Sequence, residues 1–155
     1  MKKILALLLF TFLLTGCFGG GEEVVSCERT EDASGFEIAI VNDTVIKDGK
    51  LYSDKVIMTT TPDEEMAEYL EEYARIIEEQ FENLADASGI TFSSELEDGK
   101  HVLTITIIYS ELDESEIANF NAAEREMLSD RSESNISAVA TKELREEEGF
   151  TCEIK

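Results

Sequence analysis

Three cysteines divide the chain, and the distance between the last two constrains its fold more than any other sequence feature. Cys17 ends an apolar N-terminal segment, whereas Cys27 and Cys152 bracket nearly all of the chain that follows. If Cys17 is modified and the protein is exported to an oxidising or unbuffered compartment, Cys27 and Cys152 remain to pair. Their pairing requires the first and last strands to be neighbours, or the two ends of the domain to meet.

A structural disulfide is the interpretation of this pair that the surrounding sequence favours. A metal site would need further ligands nearby, and a redox-active pair is usually separated by only two residues. The bridge would close a loop of 125 residues. For a loop of this length the chain-entropy account gives an upper figure of about 5 kcal/mol of stabilisation. We therefore predict a disulfide between Cys27 and Cys152.

The first 17 residues, MKKILALLLFTFLLTGC, have the organisation of an export signal. Lys2 and Lys3 form a basic start, and the apolar core from Ile4 to Leu14 is too short to span a membrane as a helix. Leu14-Thr15-Gly16-Cys17 resembles the lipobox of bacterial lipoproteins, in which small residues precede the cysteine that receives the lipid. Residues 1–16 are therefore predicted to be a lipoprotein signal peptide, with Cys17 as the lipidation site. The alternative is an ordinary secretory signal followed by an incidental cysteine.

A short glycine-rich stretch follows the predicted lipidation site. We assign residues 17–26 to the lipidated cysteine and a flexible tether, and residues 27–155 to a single domain. Flexible-chain scaling gives the tether a reach of roughly 15 to 20 Å, which would hold the domain close to its membrane. Residue 18 is Phe rather than Asp, so the inner-membrane retention signal of many Gram-negative lipoproteins is absent. The expected location is the extracytoplasmic face of a cell membrane, with a palmitate-bearing lipid as the anchor.

The chain is strongly acidic, with 35 Asp and Glu residues against 13 Lys and Arg residues. Loss of Lys2 and Lys3 with the signal leaves 11 basic residues against 35 acidic ones, a net charge of −24. Nucleic acid is not an expected partner, because its binding depends on basic residues that neutralise phosphates. Membrane attachment is expected through lipid rather than through charge. The acidity either keeps the domain soluble or serves to bind a cation or a basic partner surface.

Alternating apolar residues and turn signals predict a three-stranded meander at the start of the domain. Strands are expected at Val25 to Thr30 and from Phe36, with a turn at residues 32–35 between them. Asp48-Gly49 then signals a tight hairpin turn, because these residue types supply the positive φ values that such a turn requires. The third strand is expected at Leu51 to Thr60.

Capping residues predict that a long helix follows the meander. Thr61 is the expected N-cap, Pro62 the first helical residue, and Glu64 the residue that completes a capping box. Apolar residues from Met66 to Leu84 recur at spacings of three and four, which predicts a helix packed on the core. Ser88-Gly89 is its expected end.

The remaining chain is predicted to form a second hairpin, two further helices and a final strand. The hairpin covers residues 90–109 and turns at Asp98-Gly99. A capping box from Asp113 to Glu116 precedes a short helix whose apolar residues include Ile117, Phe120, Met127 and Leu128. After a polar break at residues 129–135, a helix is expected at residues 136–148 and a strand at residues 150–154.

Two short motifs recur at the same offset and predict an internal duplication. Asp48-Gly49-Lys50 recurs 50 residues later as Asp98-Gly99-Lys100, and Asp63-Glu64 recurs as Asp113-Glu114. The motifs fall at equivalent turns and helix starts, which indicates a duplicated strand-strand-helix unit. The expected fold class is α+β, a two-layer structure with an antiparallel sheet and helices on one face.

Taken together, these motifs resemble the YehR-like family of small bacterial lipoproteins of unknown function. The resemblance rests on the lipobox, the early Cys27, the two Asp-Gly-Lys hairpins and the closing Gly149-Phe150-Thr151-Cys152, and it covers residues 17–155. These are turns, caps and cysteine positions rather than a reactive constellation. The resemblance implies a two-layer α+β fold and no known substrate.

No residue pattern in the sequence predicts an enzyme, a metal site or a cofactor. His101 is the only histidine, so no Ser-His-Asp arrangement exists without it, and no nucleophile motif stands near it. A zinc site would need more His or Cys ligands. The clusters Asp63-Glu64-Glu65 and Asp113-Glu114-Glu116 lack EF-hand spacing and fit the charge preference of helix N-termini. We expect a non-enzymatic module that binds an envelope protein or another ligand, and the alternative is a small-ligand or cation receptor.

Overall fold

The computed structural model describes residues 21–118, residue 120 and residues 136–155. Within them, one six-stranded sheet carries helices on one of its faces. The strands are β1 (Glu22–Ala33), β2 (Phe36–Lys47), β3 (Lys50–Pro62), β4 (Ile90–Glu97), β5 (Lys100–Ile108) and β6 (Thr151–Ile154). The helices are α1 (Leu70–Gln80), α2 (Glu114–Ile117) and α3 (Ala138–Glu147), and short 3-10 turns lie at Ala67–Tyr69, Glu82–Leu84 and Tyr109–Glu111.

The predicted three-stranded meander is confirmed as β1, β2 and β3, which pair consecutively and antiparallel. Asp48 and Gly49 both have positive φ, 53° and 69°, as the tight turn between β2 and β3 requires. Strand β1 begins at Glu22 and pairs with β2 from that residue onward. The domain therefore starts before the expected boundary at Cys27, and residues 22–26 belong to the sheet rather than to the tether.

The second hairpin joins the meander out of chain order. The sheet runs β4-β5-β3-β2-β1-β6, so the connection from β3 through α1 to β4 passes over β5. Its turn residues Asp98 and Gly99 have φ values of 49° and 74°, close to those of the first Asp-Gly turn. The order strand, strand, helix is thus observed twice, as β2-β3-α1 and as β4-β5-α2, and the α+β class is confirmed.

Two apolar clusters lie on the face that carries the helices, here called the inner face. One cluster covers β4 and β5 and contains Leu84, Ala87, Ile90, Leu103, Ile105, Ile107 and Phe120. The other lies at the opposite end of the sheet, where α3 packs on β1 and β6, and contains Val25, Cys27, Ile46, Ala138 and Cys152. Because strand side chains alternate between faces, the second face of the sheet takes part in neither cluster.

The predicted start of the first helix is wrong. Asp63 N donates a 2.8 Å hydrogen bond to Gly35 O, which keeps the chain extended through Pro62 at the end of β3. The Asp63 carboxylate then accepts the amide hydrogens of Glu65 and Met66, so the turn is capped by Asp63 and not by Thr61. Helix α1 begins at Leu70 and ends at Gln80, well before the expected end at Ser88-Gly89.

The second predicted capping box is only half correct. Asp113 is the N-cap of α2, and its carboxylate accepts the Ser115 amide hydrogen at 2.8 Å. Glu116 does not reach back to Asp113, because its carboxylate accepts a 2.7 Å hydrogen bond from Ser88 N in the preceding connection. Helix α3 begins at Ala138 with Ser137 as N-cap, two residues later than expected. Met127, Leu128 and the polar break at 129–135 lie outside the described residues.

Candidate functional site

The structure brings together the two predicted disulfide cysteines. Cys27 of β1 lies directly opposite Cys152 of β6, with sulfurs 2.06 Å apart and Cα atoms 4.1 Å apart. Val24 and Lys155 exchange two backbone hydrogen bonds, so alternation makes Cys27 and Cys152 a non-hydrogen-bonded pair, in which side chains approach most closely. Cys17, the predicted lipidation site, lies outside the described residues.

The disulfide closes the domain at the corner where the chain enters it. Strand β6 pairs with β1 through only four residue pairs, from Val25↔Ile154 to Glu28↔Thr151. Both cysteines are buried beneath α3 in the second apolar cluster. The first strand and the last residues of the chain are therefore held side by side, next to the segment that leads back to Cys17.

His101 forms a contact that the sequence analysis missed. Its Nε2 atom lies 2.8 Å from Ser94 Oγ, and its ring meets the Tyr73 ring edge-on at 5.9 Å. The side chain is fully buried, and burial lowers the pKa of His101 below its usual value, while the nearby charge of Glu78 opposes that shift. The Asp98-Gly99 turn fixes the register of the hairpin. This register is the sequence signal that places Ser94 and His101 on the same face of the sheet.

The Ser94 and His101 pair lacks the further groups that nucleophilic catalysis uses. His101 Nδ1 has no hydrogen-bond partner among the described residues, whereas a triad histidine has a carboxylate there. The lowered pKa of His101 favours the neutral ring, which could accept a proton from a serine. Ser94, however, is only partly exposed, and it lines none of the clefts described below. The geometry fits a hydrogen bond that ties β4 to β5 within the core.

A second buried polar group lies between the two apolar clusters. Asp54 is fully buried on the inner face of β3, and its carboxylate accepts hydrogen bonds from Tyr109 Oη at 2.7 Å and Thr44 Oγ1 at 2.5 Å. Asn42 Nδ2 is a longer contact at 3.4 Å. A buried carboxylate requires such donors, because desolvation of the charge is otherwise costly. This network joins β2, β3 and the segment after β5.

The second face of the sheet, here called the open face, presents a row of side chains that crosses all six strands. Direct cross-strand partners place these residues side by side, in the order Thr151, Glu28, Val41, Ile57, Thr104 and Ser93. The described helices pack on the inner face, and Val41 remains 37% exposed. Val41 and Ile57 are the two apolar residues of this row, and they lie side by side at its centre.

A groove runs along one end of the open face. Two adjoining clefts of about 260 and 370 Å³ share Glu28, Val41 and Thr151 among their lining residues. The Ser26 hydroxyl donates to Asp43 at 2.5 Å beside the groove. Glu28 has no ion-pair partner among the described residues, so its carboxylate is available to a positively charged group.

A separate acidic cleft of about 390 Å³ lies near the start of α2. Its lining includes Glu82, Asp86 and Glu116, together with Asn83 and Phe120. Glu116 is already engaged by the Ser88 amide and hydroxyl. Across the described ranges, no group of three or more His, Cys, Asp or Glu side chains is arranged to hold a metal ion. In the same ranges, no helix combines the length and apolar character needed to cross a membrane.

An open six-stranded sheet with helices on one face defines the class of this protein as α+β. No family model matches the chain, and no curated protein matches its sequence. It is similar in structure to the YehR protein of Escherichia coli, with 17% identity, a TM-score of 0.53 and coverage of 86% of this chain and 92% of that one. A protein from Streptococcus pneumoniae TIGR4 is also similar, at 12% identity, a TM-score of 0.51 and 84% and 85% coverage. These likenesses support the YehR-like fold, and neither neighbour's name states an activity.

Proposed function

We propose that this protein is a lipid-anchored, non-enzymatic module at the extracytoplasmic face of a bacterial membrane. In this proposal it binds another envelope component through the open face of its sheet. The observation that carries the proposal is the transverse row from Thr151 to Ser93, with the groove beside Val41, on the face opposite the described helices. A face with apolar side chains and a groove loses unfavourable water contacts when a partner covers it.

The start of β1 sets the distance between the proposed lipid anchor and the domain. The first strand starts at Glu22, so only four residues separate Cys17 from the folded sheet. That length gives a reach of roughly 10 Å, which holds the domain against its membrane. The Cys27–Cys152 disulfide keeps the other end of the chain at the same corner. A module held this way meets partners in or beside the same membrane.

The anchoring part of the proposal is tested with Cys17→Ala. We expect the variant to stay unprocessed and to lose acyl labelling with palmitate, because the thiol that receives the lipid is gone. Ser26→Ala serves as a control, since Ser26 lies in the sheet and outside the export signal. Unchanged processing and membrane fractionation of Cys17→Ala would contradict the lipid anchor.

The contact surface is tested by placing a photo-crosslinking residue at Val41 on the open face, or at Val139 on α3 as a matched exposed apolar position. In intact cells we expect an adduct of one defined mass from position 41 and none from position 139. The charge reversal Glu28→Lys should abolish that adduct, because Glu28 lines the same groove. Equal crosslinking from both positions would contradict the open face as the contact surface. An adduct that forms unchanged in Glu28→Lys would contradict it as well.

A small-ligand receptor is the second candidate, favoured by the acidic cleft of Glu82, Asp86 and Glu116. The negative charge around this cleft attracts a soluble cation, although no three of the described carboxylates are arranged to ligate a metal ion. Thermal unfolding with Ca²⁺ and with the polyamine spermidine at low salt tests this function, because a ligand that prefers the folded state raises the midpoint. A concentration-dependent rise that Asp86→Asn removes would favour the receptor. No rise with either probe would leave the binding module as the better account.

A further inference from the structure

We propose that the outer edge of β4 accepts an extended, positively charged polypeptide segment as an additional strand. This inference rests on the binding role proposed above, and it names both the mode of binding and the chemistry of the partner. The edge adjoins the open face, because Ser93 of β4 is the last residue of the transverse row. Strand addition at an exposed sheet edge uses backbone hydrogen bonds for affinity and alternate side chains for specificity.

The backbone geometry of β4 leaves one side of the strand available. Ile108 N donates to Gly89 O at 2.7 Å, so in this antiparallel ladder the odd-numbered residues of β4 bond to β5. The amides and carbonyls of the even-numbered residues Phe92, Ser94 and Leu96 therefore point away from β5. Among the described elements, only β5 pairs with β4. These groups form a template for one more strand.

The strand lacks most of the features that protect exposed sheet edges. It is eight residues long and pairs with β5 in one continuous register without a bulge. It contains no proline and no lysine, and Leu96 is 52% exposed. Natural edges are usually shortened, bulged or carry lysine, because a long regular edge invites pairing with another chain. Glu95 and Glu97 are the charges that β4 presents.

The charges select the partner. Glu95 and Glu97 project from the open side of β4, whereas Phe92 and Leu96 project toward the inner face. A second copy of this chain would bring like charges together at the new pair of strands, and each mature copy has the net charge of −24 derived above. A partner strand with Lys or Arg on one face and apolar residues on the other would place its basic residues beside Glu95 and Glu97. Its apolar residues would then lie beside Phe92 and Leu96. The occupant is therefore a segment in which basic and apolar residues alternate.

The test uses full-length protein in detergent, with the synthetic peptide (Lys-Val)4 as the probe. Hydrogen exchange is measured at single amides with and without the peptide at low salt. We expect exchange at Phe92, Ser94 and Leu96 to slow at least tenfold, because these amides gain acceptors. The Ser93 and Glu95 amides, which already bond to β5, should not change. The matched peptide (Glu-Val)4 should give no protection.

Two proline variants control for the edge itself. Leu96→Pro removes one outward amide and should weaken (Lys-Val)4 binding at least tenfold, since proline is tolerated on an edge but cannot donate. Thr30→Pro is the matched control, because Thr30 has an outward amide on β1 beyond the end of β6. Should Leu96→Pro fail to fold, (Lys-Val)4 with alternate N-methylated residues tests the same ladder on the unaltered protein, and the inference expects it not to bind.

Several outcomes would overturn the strand addition. The inference fails if (Lys-Val)4 does not slow amide exchange in β4, or if (Glu-Val)4 slows it equally. It also fails if neither Leu96→Pro nor N-methylation of the peptide weakens binding. Protection of the β4 amides that rises with protein concentration alone would assign the edge to a second copy. Crosslinking from Val41 in cells without any β4 protection would reject this inference and leave the proposed function intact. The two failures are therefore distinguishable.

Discussion

The Tyr109 hydroxyl donates a 2.7 Å hydrogen bond to the Asp54 carboxylate, although the two residues are 55 positions apart. The contact joins the end of β5 to the middle of β3, between the two apolar clusters. It places a donor on a carboxylate that the fold removes completely from solvent. The pair is therefore a polar connection between the two hairpin units of the sheet.

Tyr109→Phe removes this donor and should lower the free energy of unfolding by about 1 to 3 kcal/mol, because a buried acceptor loses a hydrogen bond. Tyr52→Phe is the matched control, since Tyr52 is exposed and its ring contact with Lys47 survives the change. Urea unfolding followed by circular dichroism measures both variants. Equal effects at the two positions would contradict the role of Tyr109.

Loss of the disulfide should destabilise the protein by about 2 to 5 kcal/mol, because Cys27 and Cys152 close a loop of 125 residues. The variants are Cys27→Ser with Cys152→Ser, compared with the oxidised protein in denaturant titrations. The unaltered protein treated with dithiothreitol should approach the stability of the double variant. Two free thiols in the untreated protein, found by mass analysis after alkylation, would contradict the bridge.

His101 should make stability fall as the pH is lowered. Burial lowers the pKa of His101 below its ordinary value of 6.5, so at acidic pH the unfolded chain binds a proton that the folded protein does not. The contribution of neutral His101 to the free energy of unfolding is therefore fully present above pH 6.5. It decreases below that pH, by no more than about 1.4 kcal/mol per pH unit for one proton.

The measurement is the free energy of unfolding between pH 7.5 and about 5, for the unaltered protein and for His101→Gln. Carboxylates titrate in both proteins, so the difference between the two curves isolates the histidine. We expect the advantage of the unaltered protein to shrink as the pH falls. A difference that is constant across this range would show that His101 does not titrate as its burial requires.

Gly89 and Gly99 offer a matched pair of backbone positions with φ values of +75° and +74°. A Cβ at Gly89 would lie 2.8 Å from both Glu111 C and Ile108 O, whereas a Cβ at Gly99 would meet nothing within 4 Å. Gly99→Ala should cost about 1 to 2 kcal/mol from the left-handed backbone alone. Gly89→Ala should cost about 1 to 3 kcal/mol more, because backbone atoms must move. Thermal unfolding of both variants measures this difference. Equal losses of stability at the two positions would contradict it.

Local patterns in the sequence predicted the strands well and the first helix poorly. The Asp48-Gly49 and Asp98-Gly99 turns placed both hairpins, because a two-residue turn fixes register without reference to the rest of the fold. Thr61-Pro62 carries a strong helix-start signal, yet the hydrogen bond from Asp63 N to Gly35 O extends β3 through Pro62. Glu116 likewise follows a tertiary partner, Ser88, instead of its local capping role.

The residues of the candidate site were predicted unevenly for the same reason. Cys27 and Cys152 could be paired from the sequence, since Cys17 is the one other cysteine and the predicted compartment is oxidising. Asp54 gave no such signal, because an acidic residue in an alternating strand is usually exposed. Its burial, and the contact of Ser94 with His101, depend on which strands and helices cover which face.

The sequence alone determined the hairpin turns, the α+β class and the spacing of the paired cysteines, because turn chemistry and side-chain alternation act over a few residues. Only the tertiary structure decided that β5 lies between β3 and β4 and that β6 lies beside β1. Those neighbours are chosen by packing between distant segments. The same packing leaves Val41 on an open face and Ser94 on an outer edge, where the proposed contacts would form.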